Sequence, residues 1–99
     1  DISWHGFAVK NPDWSPTSNS IALLITGEYN DDKDIFIIFH ADMVSHTFEL
    51  PKAPSGNPWR LIIDTAKAPG EDIIPEEDAP VFNEESYFTR KLSTVVFVA

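Results

Sequence analysis

Cysteine is absent from all 99 residues, so neither a disulfide framework nor a thiolate metal site is available. That absence suits a reducing compartment without requiring one. Basic side chains are scarce: seven Lys and Arg stand against sixteen acids, for a net charge of −9. Gripping a phosphate backbone takes a basic stripe, so no nucleic acid and no anionic membrane is expected as a partner. No apolar run approaches the ~18 residues that span a bilayer, and no charged-then-apolar leader opens the chain. The sequence starts Asp1-Ile2-Ser3 without an initiator methionine, as a mature product or a piece of something longer would. No stretch carries helical periodicity over ten residues, and no internal repeat is visible.

What is present is a globular composition. Hydrophobic residues make up 42%, with three Trp, two Tyr and seven Phe. The chain reads as one domain, 1–99, long enough to bury roughly 60–70% of its extended surface in one core. Its most informative stretch is Ile35-Phe36-Ile37-Ile38-Phe39, bounded by Asp34 and His40. Too short for a free helix and rich in β-branched and aromatic residues, it predicts a strand buried on both faces. Side chains alternate, so Ile35, Ile37 and Phe39 share one face and Phe36 and Ile38 the other. One face fills a core; the other needs a second cover.

Around it the chain divides at turn signals. Asp1 to Ser20, with Pro12, Pro16 and several Asn and Ser, predicts a repeatedly turning loop that carries Trp4 and Trp14. Strands are predicted at 21–26, 35–39, 44–50, 59–64 and 93–98, with short ones at 81–82 and 87–89. The first two form an antiparallel hairpin. Val44, His46, Phe48 and Leu50 should share a face, while the Pro51–Pro58 stretch cannot be a strand. A long acidic loop fills 65–80. The fold class is therefore all-β: an antiparallel β-sandwich of about six to eight strands with 21–25, 35–39 and 94–98 central. Ala22, Leu24, Phe36 or Ile38, and Val96 or Val98 are the expected outward-facing apolar residues.

No catalytic signature emerges. His40, Asp42 and His46 flank a hairpin end but match no zinc spacing. Asp31, Asp32 and Asp34, or Glu71, Asp72, Glu76, Glu77 and Asp78, lack the loop pattern of a calcium hand. A Ser-His-Asp triad exists by residue count alone, without a G-x-S-x-G elbow. No metal, cofactor or catalytic residue is expected. Carbohydrate binding is the more serious option, because sugar rings stack on aromatic faces. The candidates are Trp4, Trp14, Trp59, Tyr29 and Tyr87, with Trp59 read as structural because it opens a core strand. An unrelated immunoglobulin-like interaction domain is a third reading.

Five landmarks in order carry a resemblance. They are Ile2-Ser3-Trp4-His5-Gly6 with Asn11-Pro12-Asp13-Trp14-Ser15; Asp34-Ile35 and the central strand; Thr47-Phe48-Glu49-Leu50-Pro51; Trp59-Arg60 through Ile63-Asp64-Thr65; and Glu71-Asp72-Ile73 before the closing strand with Ser93, Val95, Val96 and Val98. Together they resemble the C-terminal β-sandwich of isoamylase-type glycogen and starch debranching enzymes of the α-amylase superfamily. Two places depart from that pattern. His40-Ala41-Asp42-Met43 stands where an Asn-Ala pair and an aromatic are usual, and Arg90-Lys91-Leu92-Ser93 replaces a Pro-Arg-Ser. The resemblance implies a non-catalytic accessory domain of a longer multidomain enzyme that hydrolyses α-1,6 branch linkages. Its absent partner would be a (β/α)₈ barrel of roughly 250 residues bearing the catalytic carboxylates. It implies a bacterial cytoplasm or a plastid. Trp4, His5, Gly6 and Trp14 are the candidate barrel-packing or glucan contacts, and an α-glucan-binding module is the alternative function.

Overall fold

The computed structural model describes residues 2–10, 19–27 and 33–99. Eight strands form two antiparallel sheets. The large sheet has the order β1-β2-β3-β8-β5-β6, from Ile2–His5 (β1), Ser20–Ile25 (β2), Ile35–His40 (β3), Ser93–Val98 (β8), Trp59–Asp64 (β5) and Val81–Phe82 (β6). The small sheet pairs His46–Glu49 (β4) with Ser86–Thr89 (β7). The three runs apolar on both faces, β2, β3 and β8, lie side by side in the interior of the large sheet, as their composition requires.

Register decides which side chains face inward, because cross-strand partners share a face. One face carries the row Leu24, Phe36, Phe97 and Leu61 and the row Ala22, Ile38 and Val95. The small sheet lies against that face through Phe48 and Tyr87, and the turn after β4 adds Leu50 and Ala53. Phe36, Phe97 and Trp59 pack ring against ring. The Trp59 indole N–H donates to the Pro51 carbonyl at 2.7 Å, which makes this tryptophan structural, as its position at a strand start implies. Ala22, Leu24, Phe36 and Ile38 are therefore core residues, not outward-facing ones. The outward set is the other parity: Ile21, Leu23, Ile25, Ile35, Ile37, Phe39 and Val96. A doubly apolar strand leaves its phase undetermined by sequence, and the sites of His5 and Asp64 settle it here.

Other departures have local causes. The first residues of the expected N-terminal loop form β1, pairing Ile2 with Ile25 and His5 with Ala22. The turn-forming residues at 11–18 that suggested a loop lie outside the described residues. Val44 falls before β4 and is exposed, while Phe48 and Leu50 are buried as alternation predicts. Strands β6 and β7 are not partners of each other: β6 pairs with β5, and the chain then crosses to the small sheet. The acidic loop includes a 3-10 turn at Glu76–Asp78.

Two buried carboxylates lock this arrangement. Asp34 accepts hydrogen bonds from the amides of Gly27 (3.0 Å) and Ser55 (2.8 Å), joining the end of β2 to the loop after β4. Its backbone exchanges two 3.0 Å bonds with Ala99, prolonging the β3–β8 ladder. Burial alone would raise the Asp34 carboxyl pKa, but the Ser55 and Gly27 bonds outweigh it and the net shift is downward. A register shift between Leu61 and Ile63 turns Asp64 inward, opposite Val95. There its carboxylate accepts from the Ala66 amide at 3.0 Å and from the Tyr87 hydroxyl of β7, tying the two sheets together. Burial first, then the bond to Asp64, pushes the Tyr87 phenol pKa up.

Replacing Asp34 with Ala should leave the Gly27 and Ser55 amides without their carboxylate and cost about 1–3 kcal/mol, read as a lower urea midpoint. Because its folded pKa is depressed, the Asp34 contribution is present above the unfolded carboxylate value and fades as pH falls through the folded one. Asp34→Asn should therefore flatten the acid limb of stability below pH ~4, and an unchanged limb would show that these bonds contribute nothing.

Candidate functional site

The face of the large sheet turned away from the small one is the main surface candidate. It is built from residues that alternate out of phase with the core: Ile2, Ile25, Ile35 and Val98 in one row, Trp4, Leu23, Ile37, Val96 and Ile63 in the next, Ile21 and Phe39 in a third. The rows draw on five strands, each about 4.8 Å wide, so the face is roughly 24 Å across and, over three rows of alternate residues, roughly 17 Å deep, at most about 400 Å² in all. That is the size of the largest apolar patch on an ordinary monomer, and of one side of a modest inter-domain contact. Trp4 stands 46% exposed at its β1 edge. At the opposite corner Arg60 donates to the Ala79 carbonyl at 2.6 Å and Lys33 pairs with Glu76 at 3.2 Å, drawing the 3-10 segment toward Val98.

The residues singled out in the sequence do not form one site. Trp4 lies on the open face. His5, its neighbour in β1, points to the opposite face and is fully buried, and Gly6 is buried too. Trp14 and Tyr29 lie outside the described residues. Tyr87 is half-buried with its hydroxyl committed to Asp64, and Trp59 belongs to the core.

His5 shows why it is internal. The Lys10 amide donates to its Nδ1 at 2.7 Å, so the ring proton sits on Nε2, 2.9 Å from Ser3 Oγ. Lys10 adopts a left-handed φ of 59° to deliver that amide. Burial, with a smaller push from the Lys10 charge, lowers the His5 pKa. His40 is similar. Its Nε2 lies 2.7 Å from the Val44 carbonyl, which can only accept, so Nε2 carries the proton and Nδ1 accepts from Ser20 Oγ at 2.6 Å. This Ser–His pair has the spacing of a nucleophile and base, but the ring is oriented by a carbonyl and buried. It fastens β2, β3 and the turn after β3.

His46 does not join His40 and Asp42 in a ligand set. Its ring stacks on Phe7 at 4.2 Å, and Phe7 also packs against Phe48. Among the described residues, no three His, Asp or Glu side chains gather as a metal would require. Asp34 is spent on backbone amides, and Asp31 and Asp32 lie outside the described residues. Asp72 accepts from its own turn, at Gly70 and Ile73.

The two departures noted in the sequence meet in space. The Leu92 amide donates to the Asp42 carbonyl at 3.1 Å, and the Lys91 amide to Ser45 Oγ at 3.0 Å. The turn after β3 and the turn before β8 thus form one corner of the large sheet.

A small antiparallel β-sandwich whose larger sheet keeps one face apolar is the class that these observations define. Comparison with known families gives it a place. The chain belongs to the family described as isoamylase 1-3, C-terminal, which matches residues 3–96. It is similar to Isoamylase 1, chloroplastic, of Arabidopsis thaliana: 32% identity over 76 residues, covering 76% of this chain and 9% of that protein. Isoamylase 2, chloroplastic, of the same plant is 29% identical over 98 residues, covering 78% and 11%. The rice (Oryza sativa subsp. japonica) Isoamylase 2, chloroplastic, is 32% identical over 75 residues, covering 69% and 9%. The chain thus spans about a tenth of the length of the curated relatives it matches.

The His5 pKa lies below that of an unfolded chain, so as pH falls the unfolded state takes the proton first. The His5 contribution is complete above the ordinary value of 6.5 and is lost as pH drops below it toward the lowered pKa. His5→Asn should remove part of the loss of stability between pH ~7 and ~5, measured by urea denaturation. An imidazole that titrates in the folded state at the ordinary histidine value, followed by NMR, would refute the assignment.

Proposed function

We propose that this chain is the C-terminal accessory domain of an isoamylase-type debranching enzyme, whose remaining residues hydrolyse α-1,6 branch linkages in glycogen or starch. In this reading the domain carries out no chemistry. Its open sheet face packs on the catalytic (β/α)₈ barrel of the same polypeptide and stabilises it. The observation that carries the reading is that apolar face: a chain with a filled core retains a second apolar surface of up to about 400 Å², twice which lies within the ~600–1,500 Å² of inter-domain contacts. Family membership and the fraction of the relatives that the chain spans supply the rest of the polypeptide. The relatives are named as chloroplastic, which makes the plastid the compartment to test first.

A second reading is an α-glucan-binding module. What favours it is an open groove of about 400 Å³ between the Pro51–Trp59 loop and the turn after β6, with Trp59 and Phe82 in its lining and Asn57, Asn83 and Glu84 among its polar residues. An apolar floor with amide and carboxylate rims suits a sugar ring. The exposed Trp4 lies on another surface, on the sheet face assigned to the barrel.

Ile37→Asn, in the middle of the open face, tests the first reading. In the complete polypeptide it should cost about 1.5–3 kcal/mol and lower the calorimetric melting transition by several degrees. A transition that stays in place would sink the docking role. Affinity electrophoresis in glycogen separates the second reading: retardation of this chain that Asn83→Ala abolishes would favour glucan binding, and unhindered migration the bracing role.

A further inference from the structure

One residue at the corner described above is costly for its backbone. Leu92 has φ 51°, in the left-handed region that branched and bulky residues avoid, and its side chain is 58% exposed. A glycine or asparagine would satisfy the turn at less strain. The backbone serves the fold, since the Leu92 amide donates to the Asp42 carbonyl at 3.1 Å, but the leucine side chain faces solvent and has no such use within the described residues.

Its surroundings are apolar as well. Phe39, Met43 and Val44 are exposed large hydrophobic residues, and Phe39 and Leu92 line a shallow depression of about 340 Å³ with Ala41 and Thr94. Phe39 belongs at the same time to the outermost row of the open sheet face. The corner is therefore continuous with the surface assigned above to the catalytic domain. Arg90 and Lys91, two of the chain's seven cations, adjoin it and are exposed.

We propose that this corner, with Leu92 as its anchor, is the end of the inter-domain contact, and that it seats in an apolar pocket with an acidic margin on the catalytic portion of the same polypeptide. The occupant follows from three observations. The corner continues the open face through Phe39, beside Thr94. About nine-tenths of the length of the matched relatives lies outside this chain. Arg90 and Lys91 outnumber Asp42 here, a local excess of positive charge on an acidic chain, which favours a carboxylate-bearing partner surface at this point. Leu92 thus offers an exposed apolar side chain to another domain. The proposal rests on the docking reading but identifies a contact which that reading does not require.

Hydroxyl-radical footprinting of the complete polypeptide tests it without altering the protein. Phe88, 61% exposed on the small sheet, serves as the internal reference. Leu92 and Met43 should lose labelling roughly tenfold relative to Phe88, as residues in a desolvated contact do. Leu92→Gly, which suits the same backbone, should leave the fold intact and restore labelling of Met43. If Ile37 and Trp4 are protected but Leu92 labels like Phe88, the corner proposal fails and the docking reading stands. If neither set is protected, both fail. Protection of Leu92 that appears only as protein concentration rises would identify a second copy as the occupant and overturn the proposal.

Discussion

A six-stranded sheet has two faces, and a second sheet among the described residues covers one of them. The small sheet and the Leu50–Trp59 loop close the side occupied by Phe36, Ile38, Val95 and Phe97. Isoleucines, valines and a leucine crowd the other side, out of phase by one residue along the same strands. Alternation within a strand is unavoidable, so a sequence that makes both parities apolar commits its sheet to two covers. The rest of the molecule, including the division into a large and a small sheet, follows from having only one of those covers within the described residues.

The cover that is present consists of two short strands, too little to hold itself in place. It is fastened by polar groups at discrete points. Asp64 reaches across to Tyr87, Asp34 holds the loop that follows β4, and Glu49 accepts from the Val9 amide at 2.9 Å, so that β4 also carries the segment after β1. No buried side-chain nitrogen or oxygen among the described residues lacks a partner. Satisfied groups of this kind fix register and orientation where apolar contact alone would permit sliding. His5 and His40 follow the same logic, each with both ring nitrogens engaged.

Much of this was legible in the sequence. The all-β class, the central position of the doubly apolar runs and the structural role of Trp59 needed only composition, alternation and spacing, and the resemblance to the isoamylase terminal domain rested on five landmarks in order. The phase of the sheet was not legible. Ile35, Phe36, Ile37, Ile38 and Phe39 are apolar at every position, so their order contains no information about inside and outside. The register shift in β5 was hidden for the same reason, since Leu61, Ile62 and Ile63 look alike. β1 was masked by its turn-rich neighbourhood, and local spacing placed β6 and β7 on either side of a turn without revealing that they join different sheets. For the candidate site, Trp4 was visible as an unusual tryptophan. The Leu92 corner was visible only as two departures fifty residues apart, which nothing in the sequence brings together.

The surplus residue in β5 imposes a parity on the chain. Before it, Trp59 and Leu61 look inward; after it, Ile63 looks outward and Asp64 inward. Removing that one residue, Ile62, would leave Leu61, Ile63 and Asp64 in plain alternation with Asp64 still opposite Val95, whereas removing a second would exchange an isoleucine for a carboxylate across the whole thickness of the sheet. The strand therefore tolerates two lengths between Trp59 and Asp64 with the link from Asp64 to Tyr87 intact, one with the bulge and one without it.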